Sequence, residues 1–505
     1  MNINLTFSIK TLKILSISYL ALPILLFFIY WTKSIIAIGL ILLFAFSYFH
    51  FIKNEIKGTK ITVPLQQIIP LIGLIIIWVF ISGAGGWGFQ SPDLTKHSSI
   101  YKDIITLGTP TSYSFGGKTI HLAAYLAYYL PIPILFGSFS WPIMMFFVAL
   151  WTLIGATIGL TWFFILINSF SIRWLIFFIF VGGLDFAGLV HNIGISAAFN
   201  AISSQFYETL PFFSLQTDPK MLLLYEGNSH SLFWGPQHAL PCWIATGMFF
   251  YEFYHENEIK NSPIYLVLLP FWSPFILMGL APFVIYQLFS SELKKYFSIQ
   301  NLVLIPLFIT LVLFVNAVPV SDLEKGLIFY KPARIINYLL ELKAYFIFLF
   351  FEVIVWLIAI FTYLKTENRN TPEGKKQLKL LIFISLILCL IPIYKLGKWN
   401  DFVQRVSMPT LYILWVFVAI AWQKTRKFYL KNTFLILFFI GSWDSLYHIL
   451  FSLKVTEYKI KYTAIPTEKV TNFVETSIRE KWPIEQSFAS DSSYFFKYLA
   501  KKRVN

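Results

Sequence analysis

Charge is what this chain has least of. Only 13% of its 505 residues are charged while 57% are hydrophobic, and its mean hydropathy is +0.67; an ordinary soluble domain carries roughly 25% charge. That excludes a water-soluble globular protein. Cysteine is scarce too: Cys242 and Cys389 both lie in apolar runs, which excludes a disulfide framework and a CxxC or Cys/His zinc cluster. There is no Walker A loop and no GxGxxG opening a strand–helix unit, so a nucleotide-driven pump or a Rossmann enzyme has no residues behind it. The absence of HExxH and GxSxG removes the metalloprotease and lipase readings in the same way.

What is there in abundance is apolar length. Aromatics reach 19%, with 54 Phe, spread over runs near 12–31, 34–52, 66–83, 140–168, 172–190, 240–254, 300–316, 344–363, 379–394, 408–422 and 433–450. Most are of the length that crosses a hydrocarbon core, about 17–25 residues. The expected fold is therefore an all-α polytopic transmembrane bundle of eleven spans, with long extracytoplasmic loops and interfacial helices. Between Pro263 and Ser290, Pro270 and the Ser273-Pro274 pair break the pattern, which reads as a broken or re-entrant hairpin.

The formal charge of +15 punctuates the apolar runs, so it reads as topology and lipid-headgroup contact, not as nucleic-acid binding. Lys53, Lys57 and Lys60, Lys294 and Lys295, Lys365 to Lys379, and Lys424 to Lys431 fall on one side if 263–290 returns to its starting face. By the positive-inside rule that side is cytoplasmic. The N-terminus is then inside, and loops 84–139, 184–239, 317–343 and 395–407 lie outside. The expected division is a membrane domain over 1–451 and a small outer tail over 452–505, too short for a core of its own and expected to pack on the outer loops. Within the first loop, Ile120 to Leu130, with Tyr125, Tyr128 and Tyr129, reads as an interfacial helix.

Three outer segments could carry chemistry. The first runs from Gly83 through Gln90, Asp93, Lys96 and His97, where Asp93 and His97 share a face if the segment turns helical after Pro92. A carboxylate just outside a span is placed to act as a base or metal ligand, though it equally suits a helix cap. The second, Asn228 to Pro241, offers Trp234 as a stacking platform or belt aromatic, and Gln237 and His238 at the mouth of the bundle. The third, Lys395 to Pro409, gathers Lys398, Asn400, Asp401 and Arg405 into an anion site, or pairs Asp401 with Arg405 at i,i+4. Glu352, deep in a span, is a functional candidate by its position, and equally suits a buried neutral carboxyl hydrogen-bonded to a neighbouring helix. Asp185 and Asp444 read as caps or packing residues near span ends.

Taken in order, these segments, with the Ser493-to-Leu499 run in the tail, give a layout that resembles the GT-C superfamily of membrane glycosyltransferases, of the bacterial kind. The resemblance implies a polyprenyl-phosphate-linked sugar as donor and a glycan, lipid or protein as acceptor, at the outer face of a bacterial cytoplasmic membrane. It implies direct displacement at the anomeric carbon, with Asp93 as base. His97 or His238 would orient the acceptor, and Arg405 and Lys398 would stabilise the departing phosphate. The superfamily's paired acidic motif is absent here, with Ser91-Pro92 before Asp93, and the loop follows the third apparent span; a divalent metal is left open. The alternatives are a transporter or flippase of lipid-linked saccharides, favoured by the broken 263–290 segment, and a surface-polysaccharide polymerase or ligase.

Overall fold

A helix crosses a membrane only if its apolar length matches the hydrocarbon core, about 30 Å at 1.5 Å per residue. The computed structural model describes residues 3–55, 59–88, 90–123, 125–196, 214–215, 221–290, 296–319, 325–327, 335–397, 400–458, 470–482 and 486–502, and they are mostly helical. Among the described residues, six helices are long and apolar enough to cross: Ile9–Trp31, Ser34–Asn54, Trp141–Leu166, Ile172–Ile193, Glu341–Asn368 and Pro372–Ile393. Phe428–Gly441 and Trp443–Leu453, bent by 41° where they join, make a seventh if they count as one span. The other four runs expected to span are shorter helices: Leu65–Ile81, Ile299–Val315 and Met408–Lys424, and Pro236–Tyr251, which continues through a π-helical turn at Glu252–Glu256. The 263–290 segment is broken as its prolines require. Helices Pro263–Leu266 and Leu269–Trp272 end at Ser273, extended at φ −168° and ψ 105°, before Pro274–Ser290 begins.

The chain forms two compact units. The first comprises Met1–Phe163, Leu232–Asp322 and Phe451–Asn505, the second Phe164–Ser231 and Leu323–Leu450.

In the first unit Ile9–Trp31 is the central helix. Its start is held by strand Asn4–Ser8, paired antiparallel with Lys60–Pro64. Lys13, fully buried, binds Glu55 at 2.7 Å, Glu252 at 3.2 Å and Glu256 at 3.1 Å. Further along, Tyr19 stacks on Trp151 at 4.0 Å, and Trp272 donates its indole N–H to Leu20 O at 2.9 Å. After Leu65–Ile81 the chain turns through glycines with positive φ. Gly85 lies so close to the Met145 carbonyl that no side chain fits between them.

The first outer loop then builds a layer with the tail. Helix Pro92–Leu107 is followed by strands Ser112–Phe115 and Lys118–Leu122, and the tail strand Phe488–Ser490 pairs on the latter. The interfacial helix expected over Ile120–Leu130 is therefore not formed. The Gly116-Gly117 turn, with φ of 56° and 73°, closes a hairpin that commits Ile120 to Leu122 to a sheet. Tyr128 and Tyr129, further along, are buried. The tail packs on the loop as its small size required. Asp103 accepts the Phe473 N–H and the Tyr113 hydroxyl, each at 2.7 Å, and Ser99 and Thr476 share a 2.8 Å hydrogen bond.

In the second unit Ile172–Phe180 ends at an extended stretch before helix Asp185–Ile193. The carbonyls freed at this break are met by side chains: Asn228 Nδ2 reaches Phe178 O at 2.9 Å and Ser229 Oγ reaches Ile179 O at 2.6 Å. This is the condition under which irregular backbone is tolerated at membrane depth. Leu184 N–H donates to Phe351 O at 3.0 Å, in the π-helical turn Phe350–Ile354 that carries Glu352. Strands Lys325–Leu327 and Tyr394–Leu396 pair ahead of helices Asp401–Val406 and Met408–Lys424.

Candidate functional site

Proline at N1 and serine at the N-cap start a helix where Asp93 was expected to turn into one. Ser91 Oγ accepts the Leu94 N–H at 3.3 Å, Gln90 Nε2 donates to Gly83 O at 2.9 Å, and Asp93 sits half-buried in the first turn. One turn on, His97 is 4% exposed and packs its ring against Tyr129 at 5.0 Å and Tyr128 at 6.1 Å. Burial, helped by the Lys96 charge, pushes its pKa down to about 3, so the imidazole is neutral at physiological pH. Lys96 lies 5.5 Å from the rings of Phe473 and Trp482. His238 is also buried, with Nδ1 2.7 Å from Ser273 Oγ and its ring 5.2 Å from Tyr125. The tyrosine segment 125–129 thus touches both histidines. Gln237 Oε1 is enclosed with no hydrogen-bond partner among the described residues, and Trp234 is half-buried at the end of helix Asn228–Trp234.

The remaining expected residues belong to the second unit. Lys398 lies outside the described residues. Asn400 is fully buried in the left-handed region, at φ 58° and ψ 48°. Arg405 reaches past Asp401, the neighbour expected to pair with it, to bind Glu226, which also accepts the Ser231 hydroxyl at 3.1 Å. Glu226 is 5% exposed and Arg405 7%, so the pair is shielded from water.

The first unit also holds a cavity of about 620 Å³, lined by the 110–121 hairpin and the 491–502 segment. His121 stands in its wall. Its Nδ1 is 2.8 Å from Ser112 Oγ and its Nε2 2.6 Å from Asp491 Oδ1, while Phe496 stacks on the ring at 4.1 Å and 9°. Lys497, Lys501 and Lys502 complete the lining, so its basic groups outnumber the single carboxylate. The segment is anchored to the end of the first candidate span: Lys501 N–H donates to Trp31 O and Lys33 N–H to Leu499 O, both at 2.9 Å. Tyr494 and Tyr498, 58% and 47% exposed, stand beside it as interface aromatics do. Asp93 is not brought here. It is not among the residues that line the cavity, and it lies ten residues along its helix from Asp103, which accepts the hydroxyl of the lining residue Tyr113.

A second polar cluster lies among apolar helices of the second unit. His230 Nδ1, Asp444 Oδ1 and His448 Nε2 are mutually 3.5, 3.3 and 3.1 Å apart, and these are the described residues that could hold a metal ion. Asp185 and Glu352, each 1% exposed, lie nearby and interact with Asp444.

Sequence reasoning singled out neither the Ser112–His121–Asp491 chain nor the partnership of Glu226 with Arg405. One local signal was readable, the i,i+4 spacing of Asp444 and His448. The other members are 218 and 370 residues from their partners, and nothing local announces them. The chain matches no family model, no curated protein and no solved structure.

Proposed function

We propose that this is a multi-pass membrane enzyme that transfers a sugar from a polyprenyl-phosphate-linked donor to an acceptor hydroxyl at the membrane surface, and that the chemistry takes place in the cavity around His121. The observation that carries the reading is the position and lining of that cavity. It opens beside the end of the first candidate span, where a lipid phosphate would lie, and presents Lys497, Lys501 and Lys502 together with a hydrogen-bonded Ser–His–Asp chain.

In this reading the lysines hold the donor phosphate and Asp491 accepts the Nε2 proton of His121, which leaves Nδ1 as the acceptor toward Ser112. The acceptor hydroxyl attacks the anomeric carbon. Its proton passes through Ser112 Oγ to His121 Nδ1 as the new C–O bond forms, and the departing phosphate keeps the electron pair of the bond that breaks. Lysine charges offset the growing phosphate charge, and the Phe496 face stabilises the imidazolium. The expected base, Asp93, instead serves as a first-turn carboxylate favoured by the helix dipole.

The test is release of polyprenyl phosphate by the full chain in lipid nanodiscs, supplied with hexosyl and pentosyl polyprenyl phosphates and with a panel of glycan, lipid and peptide alcohols as acceptors. His121→Gln lowers turnover by about 10²–10⁴-fold, the usual worth of general-base help, and Lys497→Ala raises KM for the donor. No release from any donor, or full turnover by His121→Gln, rejects the reading.

One observation favours transport of a lipid-linked saccharide instead: the break between Phe180 and Asp185 beside the buried acids Asp185, Glu352 and Asp444. Transbilayer movement of a fluorescent lipid-linked saccharide that is lost in Glu352→Gln, with no donor cleavage, would establish that function in place of transfer.

A further inference from the structure

We infer that His230, Asp444 and His448 form a binding site for a zinc-type divalent cation; the inference stands independently of the sugar-transfer reading. Asp444 and His448 lie one helical turn apart on Trp443–Tyr458 and present their polar atoms on one face. Helix Asn228–Trp234 brings His230 across from them.

The three donor atoms make a nearly equilateral triangle with edges of 3.1, 3.3 and 3.5 Å. Around a tetrahedral ion with bonds of about 2.0–2.1 Å, donor atoms lie about 3.3–3.4 Å apart. Three facial positions of an octahedron at similar bond lengths would lie about 3.0 Å apart. Two imidazoles and one carboxylate with a fourth position open is the ligand set of catalytic zinc.

Hydrogen bonding alone accounts for the triangle less well. His448 Nε2 faces both Asp444 Oδ1 and His230 Nδ1, yet it can carry one proton at most. A cation at the centre engages all three atoms at once. A second observation points the same way: Asp444 is 3% exposed, and its Oδ2 and the Ser445 hydroxyl beside it have no hydrogen-bond partner among the described residues. Both face Gly227, where a side chain's first carbon would come within 3.2 Å of each. The side chains of Asp185 and Glu352 lie nearby and interact with Asp444, while the Arg405 guanidinium is bound to Glu226.

Glu226 fits as the supporting carboxylate. Its Oε1 lies 3.9 Å from His230 Nε2, the ring nitrogen turned away from the triangle, while Arg405 and Ser231 hold the other oxygen. A metal-bound histidine is ordinarily oriented by such a partner.

The experiment is metal analysis of the full-length protein in detergent, as purified and after stripping with a chelator and titrating with Zn²⁺ or Co²⁺. Expected are one zinc per chain, the intense visible bands of tetrahedral Co²⁺, and a rise in melting temperature with added Zn²⁺. His448→Gln and Asp444→Asn abolish uptake, and Glu226→Gln weakens it by about 10–100-fold. Stripped wild type is the reference for folding. If the variants do not match its melting temperature, the Co²⁺ spectrum and the zinc-dependent stabilisation of wild type decide alone. The inference is overturned if stripped wild type takes up neither ion, if its Co²⁺ spectrum is the pale octahedral one, if iron takes the place of zinc, or if folded variants bind zinc as tightly as wild type.

Discussion

His97 and Asp103 sit on one helix and respond to acid in opposite senses. Burial raises the Asp103 carboxyl from its ordinary 3.8 to about 6, more than the Phe473 N–H and Tyr113 hydroxyl can offset. Between those two values the folded state binds more protons than the unfolded chain, so this residue stabilises at low pH. Its contribution falls as pH rises through 6, by about 3 kcal/mol in total. His97 is held down, to about 3 from 6.5, so the unfolded chain binds the extra proton and stability falls as pH drops below 6.5, by an amount on the order of 5 kcal/mol. In wild type the two slopes oppose each other between pH 4 and 6. Asp103→Asn exposes the histidine term, so its melting temperature should fall more steeply with acid than that of wild type, whereas His97→Gln should fall less steeply. Parallel profiles for all three proteins would mean that neither group titrates on unfolding.

At the scale of elements, the helices close where small residues let them. Gly155 and Gly159 lie one turn apart on Trp141–Leu166, and a side-chain carbon at Gly159 would stand 2.7 Å from Trp243 Cβ on Pro236–Tyr251. Trp243 Cβ is fixed to its own backbone, so the helices themselves must part. Gly159→Ala should destabilise the protein by about 1–3 kcal/mol, read as a lower melting temperature in detergent. An unchanged value would show that this contact does not set the packing. The helix runs and the break at Ser273-Pro274 were legible from hydropathy and proline, because both are properties of neighbouring residues. The strand over Lys118–Leu122 was not: the tyrosines that follow it suggested a helix from Ile120, whereas the Gly116-Gly117 turn and the remote Phe488–Ser490 strand commit Ile120 to Leu122 to a sheet. Arg405 shows the same limit, since spacing pointed to Asp401 and the fold supplied Glu226.

For the whole molecule, the first helix sets two faces. Ile9–Trp31 has 23 residues, about 34 Å, with the Lys13–Glu55–Glu256 cluster at its start and the 499–501 segment at its end. With Cys242 and Cys389 replaced, a single cysteine at Lys53 and one at Lys502 should therefore be labelled from opposite sides of a sealed membrane by an impermeant thiol reagent. Labelling of both from one side would mean that Ile9–Trp31 does not cross. Composition and apolar run length by themselves determined that this is a helical membrane protein and where its long apolar helices fall, because burial of apolar surface is read from consecutive residues. Only the tertiary structure decided which polar groups meet. Asp491 lies 370 residues from His121, His448 218 from His230 and Glu226 179 from Arg405, and what joins them is that a buried charge or hydrogen-bonding group must find a partner wherever the fold provides one.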